Sequence, residues 1–263
     1  TDFNIGTFTM PAAPLRVVLP GKIIELKPED PAALFAATYD DLETLLAAHR
    51  FAWLPQAGEG LDTNWVATLW RCWADRFGTK RTGWPWHAYT AAERAINIID
   101  FSRCHGIPES PDRMVELLTA HADTIRAGLE YFGEHYTSNH LSNNGRGLLR
   151  IGTALGLAEH AEIGMRIMIA EAGRIFGRSG MLREGSTHYH VLLTRNYTDA
   201  WLDADAAGLD QADMLREIAE RALAAISGVM LPGGMPLIGD ISPDAPPAYF
   251  FALTRKAPDN TGW

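Results

Sequence analysis

Cysteine is scarce in this sequence: Cys72 and Cys104 are the only two in 263 residues. That excludes a disulfide-built scaffold, and both sit inside apparent helices, where free thiols are expected as readily as a bridge. Long apolar runs are also lacking, since nothing approaches the roughly 18 to 20 residues needed to cross a bilayer. No run of lysine or arginine is long enough to track a phosphate backbone. With 23 basic against 32 acidic residues and a net charge of -9, nucleic acid is not an expected partner. No fixed-period repeat is visible, which disfavours TPR or HEAT arrays. The chain begins at Thr1 without a charged-then-apolar leader, as expected of a mature or trimmed chain.

What is present is apolar residues in quantity, 47% of the chain, enough for one large core or two small ones. Residues 1–29 are rich in proline and glycine, with short β-branched runs at 16–19 and 23–26 around Pro20-Gly21, and read as irregular or weakly stranded. From Asp30 onward, capping residues and prolines repeatedly precede apolar spacings of three and four. Helices are expected at about 31–48, 62–77, 90–104, from Ser110-Pro111 to about Phe132, then 139–157, 160–176, 187–205 and 210–227. Helices of this length joined by a few residues pack as antiparallel hairpins. The Leu-Pro-Gly-Gly-Met-Pro-Leu-Ile-Gly-Asp stretch after Val229-Met230 then breaks the helical period, as a loop or the start of another layer.

Three clusters carry chemistry. The first runs from Trp84-Pro85-Trp86-His87 through Tyr89 to Glu93-Arg94 and Asn97, an aromatic loop entering a helix that Thr90 could cap with Glu93 closing the box. Trp84 and Trp86 could stack on sugar rings, whereas Trp53, Trp65, Trp70 and Trp73 fit core positions. The second is Ser138-Asn139-His140-Leu141-Ser142-Asn143-Asn144. Asn139 and Asn143 lie one turn apart, as do His140 and Asn144, and so many amides exceed what a cap requires. The third is Glu184-Gly185-Ser186-Thr187-His188-Tyr189-His190, with Ser186 as cap. His188 and His190 point to different helix faces, which argues against a paired metal site.

These clusters, in this order on a helical chain, resemble the heparinase II/III superfamily of polysaccharide lyases. That family shows a tyrosine followed by Glu-Arg-x-x-Asn, then Asn-His-x-x-x-Asn, then Glu-x-Ser-x-x-Tyr-His. The resemblance implies an all-α incomplete (α/α) toroid of antiparallel helical hairpins over residues 30–235. Residues 236–263 would then lead toward an antiparallel β-sandwich of which this chain carries no sequence, and which in the family usually supplies a further histidine. It also implies cleavage of uronic-acid-containing glycans by β-elimination, without a cofactor or metal, in the periplasm or outside the cell.

Elimination requires removal of the C5 proton of a uronate, which is scarcely acidic until the neighbouring carboxylate is neutralised. Asn139 and His140 are assigned that task, and Tyr189 is assigned the proton transfers. Trp84, Trp86, Tyr89, Arg94, Asn143, Asn144, Glu184, His188 and His190 are expected to bind the anionic polysaccharide. Arg81, Arg146, Arg150, Arg183 and Arg195 could add a basic cleft on an acidic body. Three competitors remain: a toroid glycoside hydrolase using carboxylates such as Asp100, Glu134 and Glu184, a non-catalytic glycan-binding domain, and a metal enzyme drawing on His135, His140, His188 and His190.

Overall fold

The computed structural model of the protein describes residues 4–133 and 139–250; Glu134, His135 and Ser138 lie outside the described residues. The architecture is all-α, with nine helices and one two-stranded hairpin among the described residues. Within the span expected to form one toroid domain, contacts cluster into two compact units, Thr1–Leu129 with Ala154–Leu157, and Glu130–Thr153 with Ala158–Trp263.

In the first unit, the β-branched runs near the N-terminus pair as an antiparallel hairpin, β1 (Leu15–Leu19) and β2 (Lys22–Leu26), turned by Pro20-Gly21. The helix expected over 31–48 is broken into α1 (Ala33–Ala36) and α2 (Leu42–Arg50). Asp41 causes the break: its carboxylate accepts from the backbone N–H of Thr44 at 2.8 Å and from the Thr44 hydroxyl at 2.7 Å, a side-chain N-cap that starts a new helix at Leu42. Helix α3 (Thr63–Phe77) starts on Asp62, which accepts from the N–H groups of Asn64 and Trp65. Its Trp65, Trp70 and Trp73 are fully buried, as their spacing predicts. Helices α4 (Ala88–His105) and α5 (Pro111–Ala127) complete this unit.

The Thr90 cap is not formed. A 3-10 turn, Trp84–Trp86, pinned by the Trp86 indole N–H on the Phe77 carbonyl at 2.8 Å, feeds the chain into α4 two residues earlier, and Thr90 is buried inside the helix.

The second unit is built from α6 (Asn139–Leu155), α7 (Ala158–Ile175), α8 (Thr187–Ala206) and α9 (Ala212–Ser227). Residues 141–152 of α6 are buried without interruption, so this helix is enclosed on every face. Glycine lets α7 approach it: a Cβ on Gly164 would lie 2.4 Å from the Leu149 backbone nitrogen and 2.5 Å from the Gly145 carbonyl oxygen. Gly164→Ala is therefore expected to destabilise the protein by about 1–3 kcal/mol through overpacking, because backbone atoms cannot yield as a side-chain end can. A thermal midpoint unchanged or raised by the better helix former would refute that reading of the α6–α7 contact.

Candidate functional site

Two ion pairs fix the register of α6 against α8. Arg146 meets Asp199 at 3.3 Å, and four residues later on both helices Arg150 meets Asp203, both of these side chains being buried. A step of four in the same direction on each helix means that α6 and α8 run parallel with an offset of 53. Asn143 is then about level with Asn196, and Asn139 lies about one turn from the level of Tyr189. The second and third sequence clusters thus emerge at the same end of one unit. Arg195 extends the ladder, with Nε 3.6 Å from Asp199 and a bond to the Tyr249 hydroxyl at 3.0 Å.

At this end, His140 is held by a residue that no sequence motif singles out. Its Nδ1 lies 2.7 Å from Oε1 of Glu130, whose side chain is only 10% exposed. Asn144 supports that carboxylate from below. Its amide nitrogen donates to Glu130 Oε2 at 3.2 Å, and its oxygen accepts from the Glu130 backbone N–H at 3.0 Å. Asn144 is fully buried, so it braces Glu130 and presents no surface. Glu130 carries no motif; the apolar stripe of α5 runs past it to Phe132, yet the helix ends at Ala127 on Gly128, and only the fold brings Glu130 to His140, ten residues along.

Asn139 and His140 are half-buried, as is Tyr189, whereas Asn143 is buried and neither polar atom of its amide has a hydrogen-bond partner among the described residues. The Asn196 side-chain oxygen is likewise buried without a partner. The Asn143 amide and the Asn196 oxygen are thus buried at one level of the α6–α8 seam without a partner among the described residues, an exception to the usual pairing of buried polar groups.

The start of α8 is locked by the segment after α9. Ser186 Oγ accepts from Tyr189 N–H at 3.0 Å and donates to the Asp240 carbonyl at 2.6 Å. The Thr187 hydroxyl donates to the Pro236 carbonyl at 2.6 Å. Gly239, at φ 76°, lies so close that a Cβ there would stand 2.9 Å from the Ser186 Cα. The Leu-Ile-Gly-Asp segment is therefore a strap over the N-terminus of α8, and it fixes the backbone from which Tyr189 projects. Exposed Glu184 lies beside the same strap, its carboxyl pushed up by desolvation and then by the charge of Asp240.

Both histidines flanking Tyr189 serve the architecture. His188 accepts at Nδ1 from Ser242 N–H (3.2 Å) and donates from Nε2 to the Ala245 carbonyl (2.6 Å). His190 accepts at Nδ1 from Leu182 N–H (3.2 Å) and donates from Nε2 to the Ala222 carbonyl (2.9 Å). Both rings are fully buried, neutral, and without a ring nitrogen left for a ligand. Among the described residues no group of three metal-ligating side chains comes together.

The first sequence cluster lies in the other unit. Trp84 is 46% exposed and packs at a tilt against His87, their ring centres 5.5 Å apart. Tyr89 is half-buried under the Arg50 guanidinium, 4.7 Å from its ring centre. Arg94 and Trp86 are interior. The Arg94 guanidinium lies 3.7 Å from the Trp73 ring centre, donates to His121 Nε2 and to the His49 carbonyl at 2.9 Å each, and has no exposed face. It ties α2, α4 and α5 together. Of the other arginines considered for a basic cleft, Arg81 pairs with Glu116 and Arg146, Arg150 and Arg195 with aspartates, leaving Arg183. Asp100 pairs with Arg103.

The buried histidines set an acid limit on stability. Burial, and then the Arg94 charge, pushes His49 down to about 3 and His121 well below its ordinary value; burial also lowers His188 and His190. In the unfolded chain these rings take up protons below about pH 6.5 while the folded chain refuses them, so the stability present above 6.5 falls as pH drops toward 3, by about 1.4 kcal/mol per unit of depression at each site. Thermal midpoints are expected to fall steeply between pH 6.5 and 4, and a flat profile there would contradict the neutral state of these rings.

The helical fold matches that of heparinase-type lyases. Heparan sulfate lyase HepC from Pedobacter heparinus superposes with a TM-score of 0.55 at 18% identity, over 77% of this chain and 35% of its own. A heparinase III gene product gives 0.53 at 16% identity, over 78% and 39%, and another heparinase III structure 0.51 at 16%, over 73% and 30%. The chain therefore spans about a third of the length of these structures. No protein-family model and no curated protein matches the sequence.

Proposed function

We propose that this chain, with the fold of heparinase III and heparan sulfate lyase, is the helical part of a polysaccharide lyase that cleaves uronic-acid-containing glycans by β-elimination. The observation that carries the proposal is the parallel α6–α8 register, which brings Asn139 and His140 to the same end as Tyr189. A β-elimination site needs those two functions side by side: donors for the carboxylate oxygens of the uronate, and a proton carrier within reach of C5 and of the leaving oxygen.

The Asn139 amide donates to the carboxylate, as does Nε2 of a His140 ring protonated on both nitrogens, whose Nδ1–H is taken by Glu130, and both bind it more strongly as charge builds on its oxygens when the C5 proton leaves. The Tyr189 phenolate takes that proton. The electron pair becomes the C4–C5 double bond, the bond from C4 to the glycosidic oxygen breaks, and the phenol returns the proton to that oxygen. Glu130 holds the His140 ring at the angle this requires, and Asn144 holds Glu130. Glu184 is available to the rest of the sugar, while Asn143 and Asn196 lie beneath the surface of the seam; Trp84 and Tyr89, within their own unit, keep aromatic faces that suit a sugar ring. His188, His190, Trp86 and Arg94 act on substrate only through the backbone they position. The chemistry calls for no cofactor, and the size of a polymeric substrate places the reaction in the periplasm or outside the cell.

The test is ultraviolet absorbance, which reports the unsaturated uronate a lyase leaves and a hydrolase does not. Incubation with a panel of glucuronate-, iduronate-, mannuronate- and guluronate-containing polymers should give rising absorbance on one class. Saturated reducing ends without absorbance would replace the lyase with a hydrolase.

A further inference from the structure

Most arginines described stand against a carboxylate, as befits a chain of net charge -9. Of the several that do not, three share one cavity of about 370 Å3 between the C-terminal end of α7, the 177–183 loop and α9. Arg178, Arg183 and Arg221 line it, all three exposed and none with a carboxylate within ion-pair distance among the described residues. From this geometry we infer a second binding site, separate from the Asn139, His140 and Tyr189 cluster, for a sulfate or phosphate ester carried on a ring-sized body such as a sugar.

Arg178 and Arg221 are not needed where helix ends usually use arginine. The carbonyls at the end of α7 are already satisfied: Ile175 accepts from Arg183 N–H at 2.9 Å, Phe176 from Arg183 Nε at 3.2 Å, and Gly177 from Gly180 N–H at 3.0 Å. The terminal guanidinium nitrogens of Arg183, and the guanidinium groups of Arg178 and Arg221, meet no acceptor among the described residues. Guanidinium groups match the oxygens of a tetrahedral ester through paired donors.

The site is also rigid before any ligand arrives. Gly180, at φ 84°, lies against α9 so closely that a Cβ would stand 2.3 Å from the Arg221 carbonyl oxygen. His190 clamps the same contact, bonded on one side to Leu182 and on the other to Ala222. The backbone that carries the loop arginines is thereby fixed beside that of the helix arginine, so the ordering cost left for binding is that of the side chains themselves.

Volume and lining select the ligand class. A bare ion would not fill a cavity in the range of small-molecule sites, about 300–1,000 Å3, and the floor includes apolar Phe176 and Ile218, suited to the C–H face of a ring. Glu217 is the carboxylate in the lining, and its charge opposes an anion. The inference does not rest on the lyase reading.

Calorimetric titration of the 263-residue chain with N-acetylglucosamine 6-sulfate, its 6-phosphate, the unsubstituted sugar and inorganic sulfate tests it. One ester is expected to bind best and so name the source, with the parent sugar and the bare ion at least about tenfold weaker. Arg178→Ala/Arg221→Ala should weaken the ester at least tenfold with unfolding unchanged, since both side chains are exposed. Glu217→Gln should tighten binding, and Tyr189→Phe should leave it as it is. Equal binding of esters and parent sugar, undiminished affinity in the double-arginine variant, or no binding of any probe would each overturn the assignment.

Discussion

Replacing Tyr189 by phenylalanine is expected to lower the rate of unsaturated-product formation by about 10²- to 10⁴-fold, the usual worth of a positioned acid–base group. Only the hydroxyl is lost. The ring that packs against both clusters of the second unit's core remains, and the backbone is held by Ser186 and the 236–240 strap, so unfolding should not change. In the same absorbance assay Asn139→Ala should cost about 10²- to 10³-fold, as for loss of one donor to developing oxyanion charge. Glu130→Gln should cost less than either, because the His140 ring keeps a neutral partner in place of its carboxylate. Undiminished activity in Tyr189→Phe would remove this tyrosine from the chemistry, whatever the fold.

The largest stability effect is expected at the Arg150–Asp203 pair. Both side chains are more than nine-tenths buried, on the ladder that aligns α6 with α8. Asp203→Ala leaves a guanidinium in a closed interior, and removing one member of such a pair typically costs about 3–5 kcal/mol, much of it the desolvation of the charge left behind. The pair is not for that reason a source of net stability. Arg150→Met/Asp203→Leu, which removes both charges at similar volume, should recover most of the loss. Chemical denaturation of the two variants decides the matter: a double variant no more stable than Asp203→Ala would mean that this seam needs the charges for more than mutual neutralisation. If the ladder sets the register of the proposed site, the double variant should also lose activity while regaining stability.

Locally determined features were legible in the sequence. Asp62 and Ser186 cap α3 and α8 as short polar residues before apolar periods should, the tryptophans of α3 fall in the core, and Pro20-Gly21 turns a hairpin. Where two local signals compete, reading by spacing is weaker. Thr90 has the form of a cap, yet the Trp84–Trp86 turn starts the helix first, because an indole bonded to Phe77 fixes the chain upstream of it. Asp41 breaks an apolar period that looks continuous, because one satisfied cap outweighs spacing that tolerates a kink.

The candidate site divides along the same line. The Asn-His and Tyr-His clusters stand out as residue types whose density exceeds structural need, a property of sequence alone. Which of their members face a substrate is not. Histidine, arginine and asparagine are equally suited to bind a ligand or to satisfy a backbone carbonyl, and burial with hydrogen-bond partners at a distance in sequence makes the choice. It turns His188, His190 and Arg94 inward and leaves Asn139, His140 and Tyr189 partly open. Sequence determined the helices, their caps and the chemical vocabulary of the site. Tertiary structure alone decided the parallel α6–α8 register, the part of Glu130 and the gathering of Arg178, Arg183 and Arg221 in one cavity, because each rests on side chains or carbonyls that the chain brings together from positions with no local relation.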